Sequence, residues 1–278
     1  MSFIPKPDEF YIGYLPKAPD KTARIVTRTV FTLVLLILLV CTLVVLNQRK
    51  FSSGTFEYGQ LTVIEGIFSE SPVPNLRVND GGKSKMILLV GFGKMGAMPT
   101  ITTLEEKSGK NFNGQYVELK GTRIYDHEKE LMQITVEDNL EVEVGSIPEN
   151  FPPVITKSLG THSFLGEIVD PKCFLGVMKP AEGKPHRSCA IRCIAGGIPP
   201  IFSIRNSDVD FVILTGEKIN AEIIPLVGDP VELQGDVIQI DNWKVMNVNM
   251  DNVRFQAKRK TKENLIAFEE DITLCMNR

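Results

Sequence analysis

Apolar and polar positions along this chain fall into distinct regimes. From Thr29 to Leu46 the sequence TVFTLVLLILLVCTLVVL runs eighteen residues without a charge, a glycine or a proline. At 1.5 Å per residue such a helix spans about 27 Å, close to one hydrocarbon core. A soluble helix keeps a polar face and this stretch has none, so residues 29–46 are predicted to cross a membrane. No small-x-small cleavage site follows and the preceding flank is long, which argues against a removed signal peptide. Cys41 is read as one more apolar, membrane-facing residue.

Beyond residue 53 the period changes from helical to strand-like, and the pattern occurs twice. Tyr116-Val-Glu-Leu-Lys-Gly-Thr122 matches Pro230-Val-Glu-Leu-Gln-Gly-Asp236 at an offset of 114 residues, which also pairs Ile124 with Ile238, Met132 with Met246 and Ile134 with Val248. Upstream, Met86-Ile-Leu-Leu-Val90 resembles Phe211-Val-Ile-Leu214, and Gly59-Gln-Leu-Thr-Val-Ile-Glu65 resembles Gly166-Glu-Ile-Val169. The reading is a tandem duplication, 53–146 and 160–256. Each copy alternates apolar and polar residues, bends at a glycine, and alternates again. The expected fold is mainly β: one N-terminal transmembrane helix followed by two tandem OB-like small β-barrels. Helix is expected only in the span, in one short segment near residues 185–195, and in a charged tail, 257–278.

Charge decides orientation. Lys17, Lys21, Arg24 and Arg28 precede the span, against Arg49 and Lys50 after it, so the segment 1–28 is assigned to the cytoplasm and the barrels to the far side. A net charge of −3 supplies no electrostatic footprint for nucleic acid, and none is expected as a partner. Phe10, Tyr11, Tyr14 and Leu15 form an aromatic strip among prolines; one reading is a disordered tail, the other a strip costly to leave in water that docks on a partner or the membrane interface. Gly91-Phe-Gly-Lys-Met-Gly96 fits the dinucleotide fingerprint, but Pro99 and the β-branched run Thr100-Ile-Thr-Thr103 follow where a helix should open, so no nucleotide is expected.

The chemistry concentrates where the copies differ. The interval 66–85 of the first copy corresponds to 170–210 of the second, and the excess, at 170–200, holds Cys173, His186, Cys189 and Cys193. On a helix from 185 to 195, His186, Cys189 and Cys193 fall within a sector of about 60°, with Cys173 approaching from the preceding strand. A Cys₃His set suits zinc, copper or iron. Two alternatives stay open. With Cys275 these cysteines could form two disulfides in an oxidising compartment, or a thiol pair near Lys184, Arg187 and Arg192 could be redox-active. His127, His162 and Trp243 are read as turn, surface and packing residues. No catalytic triad, carboxylate pair, haem site or Walker loop is present, so no catalytic residue is assigned.

The run Gly166-x-Ile-Val-Asp-x-x-Cys173, continued through Cys189-x-x-x-Cys193-Ile-x-Gly-Gly-Ile-Pro-Pro200, resembles a segment of uncharacterised bacterial membrane-anchored proteins, with Tyr11-Ile-Gly-Tyr-Leu-Pro16 accompanying it. The resemblance implies a bacterial envelope location. The expectation is a non-catalytic accessory subunit of an inner-membrane complex, of a respiratory or redox kind, with its body in the periplasm. The alternatives are a periplasmic metal-binding protein and an anchored thiol oxidoreductase.

Overall fold

A computed structural model of the chain describes residues 18–48, 54–126, 128–176, 178–205, 211–216, 219–248, 250 and 253–255. The aromatic strip, His127 and Cys275 lie outside them, as does the charged tail.

The N-terminal unit is the helix α1 (Asp20–Asn47), 28 residues long with no buried residue. It starts nine residues before the uncharged run, directly after Pro19, with Asp20 in its first turn facing the positive end of the helix dipole. Its length and composition suffice to cross a membrane.

The second unit holds both barrels. The first comprises β1 (Thr55–Phe56), β2 (Thr62–Ser69), β3 (Asn75–Asp80), β4 (Lys83–Val90), α2 (Met98–Ser108), β5 (Tyr116–Asp126), β6 (Lys129–Ile134) and β7 (Val144–Gly145). The second comprises β8 (Thr156–Val169), α3 (Pro171–Leu175), α4 (Arg187–Ala195), β9 (Ile201–Ile204), β10 (Phe211–Thr215), α5 (Ile219–Glu222), β11 (Pro230–Ile240), β12 (Trp243–Val248) and β13 (Arg254–Phe255). In the first, β2-β3-β4-β6-β5 closes back on β2, and in the second β8-β9-β10-β12-β11 closes back on β8. All of these pairings are antiparallel except β4 with β6 and β10 with β12. Both are closed five-stranded OB-like barrels, and equivalent strands coincide with the 114-residue offset: β5 with β11, β6 with β12.

The glycines shared by the two copies have a steric cause. A Cβ on Gly121 would lie 2.4 Å from the Gln133 carbonyl oxygen, and on Gly235 it would lie 2.2 Å from that of Asn247. Only glycine lets the long strand bend so closely over its neighbour at the barrel corner.

Strands β3 and β9 fall within the intervals 66–85 and 170–210. Two expectations need correction. A second short helix, α3, precedes α4 in the insertion. Residues 98–108 form a helix, α2, although Thr100-Ile-Thr-Thr103 is β-branched. Burial of Ile101 and Leu104, three residues apart, outweighs that weak local preference. Pro99 suits the first turn and Gly109, at φ +66, closes the other end in the left-handed region.

Core side chains form three clusters. One fills the first barrel around Phe68, Leu76, Phe112 and Leu119, and another fills the second around Phe202, Val212, Leu233 and Met246. The third is a seam between them. Met86, Leu88 and Val90 alternate with the inward Ile87 and Leu89, so they face outward from β4 and meet Ile201, Ile213, Trp243 and Val245 of the second barrel. Trp243, fully buried, donates its indole N–H to the Met86 carbonyl at 2.8 Å. The adjacent turn adds Asn242 Oδ1, accepting from the Met86 N–H at 2.8 Å, and Asp241 Oδ2, accepting from the Ser84 hydroxyl at 2.7 Å.

Replacing Trp243 by Phe strands the Met86 carbonyl and is expected to cost about 1–3 kcal/mol, while Trp243→Ala should cost about 3–5 kcal/mol, read by chemical denaturation. Glu130 gives a pH test. Its side chain is buried between Lys85 (2.8 Å) and Arg123 (2.5 Å). Burial favours the neutral acid, but the hydrogen bonds from Arg123 and Lys85 outweigh it and hold the carboxyl below its ordinary 4.5. The charged form is therefore preferred in the folded state, so this stabilisation exists above pH 4.5 and disappears as pH falls through the lowered value. Glu130→Gln should lower stability near neutrality and flatten the acid limb of the stability–pH curve.

Candidate metal centre

The insertion is built between the first two strands of the second barrel. Strand β8 ends at Val169, and Asp170, fully buried, caps α3 by accepting the Cys173 N–H at 2.9 Å. Asp followed by Pro is a helix-start signal, and here it fixes Cys173 one turn into α3. The chain then loops back, tied by the Gly183 N–H donating to the Glu167 carboxylate, and enters α4 just after His186. Helix α4 is clamped on the barrel by Arg187, which donates to Asp229 (3.1 Å) and to the Pro225 carbonyl (3.2 Å). Asn220 caps its far end by donating to the Ile194 carbonyl at 3.0 Å. Gly197, at φ +93, ends it in a conformation that side-chain-bearing residues rarely adopt.

These constraints gather the predicted residues. Donor atoms of Cys173, His186 and Cys189 lie within 4.8 Å of one another, and so do those of Asp170, Cys173 and Cys193. The expected four-residue set is therefore arranged as two overlapping triads that share Cys173, with Cys193 grouped with Asp170 instead of His186. The cysteines at 173, 189 and 193 carry free thiols, and the Cys173 and Cys189 sulfurs stand 4.0 Å apart, twice a disulfide bond length. Cys193 is buried at the inter-barrel seam.

Asp170 does double duty, since its other oxygen lies 3.2 Å from His186 Nε2. A carboxylate behind an imidazole sets its tautomer and orientation, leaving the second ring nitrogen for a ligand. The hydrogen bond to Asp170, reinforced by Cys173, lifts His186 to about 9. Hydrogen bonding with Cys193, and then burial, push the Cys173 thiol up. Burial likewise raises the Cys189 thiol, against the pull of Lys94. Thiols held protonated in this metal-free arrangement would lose their protons to an arriving cation.

Two lysines stand beside the centre. Lys94, from the first barrel's β4–α2 loop, places its ammonium 3.1 Å from Cys189 Sγ. Lys172, from α3, reaches the other way and donates to the Gly91 (2.9 Å) and Gly93 (2.8 Å) carbonyls, and burial lowers it to about 8. The glycine fingerprint thus has a different use here. A helix does open after it, but the loop turns carbonyls onto an ammonium, and its amides are spent on Met95, Phe92 and Gly196. The Gly96 N–H donates to the Gly196 carbonyl at 2.8 Å. A Cβ on Gly96 would sit 2.3 Å from the Gly197 oxygen, so the two loops touch backbone to backbone.

Asp170, Lys94 and Lys172 were not among the predicted site residues. The Asp170-Pro171 cap was a usable signal; Lys94, 95 residues from Cys189, carried none. His162 lies exposed on β8, its ring stacked on Phe164. Trp243 is a packing residue.

No family model and no curated protein matches the chain. Among solved structures, it is similar to a deletion mutant of the single-stranded DNA binding protein from Thermus aquaticus, at 11% identity and a TM-score of 0.20, covering 76% of this chain and 92% of that one. A likeness at that score carries no argument here. The donor set itself defines what the site can do: thiolates, an imidazole and a carboxylate form a cluster able to hold a metal ion.

Asp170→Asn keeps an acceptor for the Cys173 N–H but removes the charge facing His186, whereas Asp170→Ala removes both. The Ala variant should lose about 0.5–2 kcal/mol more than the Asn variant by thermal unfolding. In both, the His186 titration followed by NMR in the metal-free protein should fall toward its ordinary 6.5.

Proposed function

We propose that this chain is a membrane-anchored metal-binding protein of the bacterial envelope. In this reading α1 fixes it in the inner membrane with its N-terminus in the cytoplasm, and the tandem barrels stand in the periplasm. The basic residues Lys17, Lys21, Arg24 and Arg28 before the span support that orientation. The observation that carries the reading is the convergence of Cys173, His186 and Cys189 on one point. Thiolate and imidazole together select zinc, copper(I) or another soft ion over calcium or magnesium. Barrel strands, the Asp170 cap and the Arg187 clamp would hold those donors in place before the ion arrives, and Lys94 would offset thiolate charge.

A second reading, as an accessory subunit of a larger inner-membrane complex, is favoured by the loop beside the centre. Phe92 is 68% exposed and Met95 49% exposed, on either side of Lys94. Large apolar side chains presented next to a metal centre suit contact with a partner. The two readings are compatible.

The test is elemental analysis of the full-length protein, purified in detergent under reducing conditions. At least one equivalent of zinc or copper per chain is expected, with retention lost in Cys173→Ser and weakened at least tenfold in Cys189→Ser. A protein that takes up neither metal, yet reduces a disulfide substrate, would belong with the thiol oxidoreductases instead. For the second reading, Phe92→Glu should reduce the recovery of co-purifying membrane proteins without changing metal content.

A further inference from the structure

We propose that the insertion holds two monovalent soft ions, copper(I), joined through the Cys173 thiolate; this rests on the metal-binding reading above. The donors do not gather about a single centre. One triad is Cys173, His186 and Cys189, the other is Asp170, Cys173 and Cys193, and within each the ligand atoms lie within 4.8 Å of one another. Cys173 Sγ belongs to both. A thiolate sulfur has lone pairs enough to bind two soft cations at once, so the shared residue is chemically suited to bridge.

Coordination number points the same way. Zinc in a structural protein site takes four ligands in a closed tetrahedron. The first triad offers three donors and the second two thiolates with the Asp170 carboxylate beside them as a harder, charge-supplying neighbour, numbers that copper(I), a filled-shell ion content with two or three donors, accepts readily. Charge then decides between a monovalent and a divalent pair. Three thiolates and the Asp170 carboxylate carry four negative charges, and two positive ones face them: Lys94, hydrogen-bonded to Cys189, and Lys172, held against the first barrel's loop within reach of Cys193, Cys173 and Asp170. Two monovalent ions bring the cluster to neutrality. Two divalent ions would leave a double positive charge in a partly buried site, which is costly.

Asp170 is able to serve both centres. One oxygen accepts the Cys173 N–H and the other faces His186, but a carboxylate offers about four lone-pair sites, leaving room for a metal contact. Cys193 approaches from the apolar seam, so the second ion would sit on the side facing the junction of the barrels, while Cys189 and Lys94 mark the side nearer solvent.

The experiment is a titration of the full-length, reduced, metal-free protein in detergent with copper(I), in competition with a chromogenic copper(I) chelator under anaerobic conditions. Two equivalents are expected for the wild type, one for Cys189→Ser, one for Cys193→Ser and none for Cys173→Ser. Because Cys193 is buried and its replacement could disturb folding, Asp170→Asn removes one charge with a near-isosteric change and should weaken the second equivalent more than the first, whose His186 it also orients. X-ray absorption of the doubly loaded protein should show a copper–copper scattering shell. A single equivalent that persists in Cys193→Ser and Asp170→Asn would overturn the two-ion proposal while leaving the metal-binding reading intact. Two equivalents that survive Cys173→Ser would overturn the bridge. No uptake of either copper(I) or zinc would remove both readings together.

Discussion

Everything distinctive in this molecule depends on the apolar seam between its two barrels. Met86, Leu88 and Val90 on the outer side of one sheet have no reason to be apolar unless something covers them, and what covers them is the outer face of the second barrel. Trp243 sits in the middle of that contact and crosses it with a hydrogen bond to Met86. Once the seam is closed, the first barrel's glycine loop is held against the insertion, and Lys94 meets a cysteine that is remote in sequence. Without the seam the thiols, carried on α3 and α4 of one barrel, would lose the Lys94 counter-charge and the cover of the first barrel's loop.

The fold was legible mainly because the chain says the same thing twice. A fixed offset between the copies aligned strands and bends even where individual signals were weak, and the glycine at each corner proved necessary on steric grounds. What escaped notice was local structure too short or too dissonant to register. Strand β9 is only four residues, and β3 shows one brief alternation before turning polar. Helix α2 is written in residues that favour strands, and only its contact with the barrel end, through Ile101 and Leu104, overrides them.

The site divides along similar lines. Helical spacing placed His186 and Cys189 on one face, and α4 supports that geometry. It also grouped Cys193 with them, whereas Cys193 turns toward the seam and keeps company with Asp170. Angular position on a helix describes direction but not depth, and depth is set by what the helix lies on. Lys94 and Lys172 were invisible for a more basic reason: their roles are created by the packing of one barrel on another, and no pattern along a single chain encodes that contact directly.

The seam also imposes an order of events on the newborn protein. The first barrel's last strand, β7, ends at Gly145, whereas the final strand that covers its outer face, β12, ends at Val248, roughly a hundred residues later. A first barrel completed before its sibling is made therefore carries an uncovered apolar face. In a cell, that interval is when the protein is most open to aggregation or to capture by a chaperone. Each barrel closes its own sheet, yet the two share one apolar surface and are finished only together.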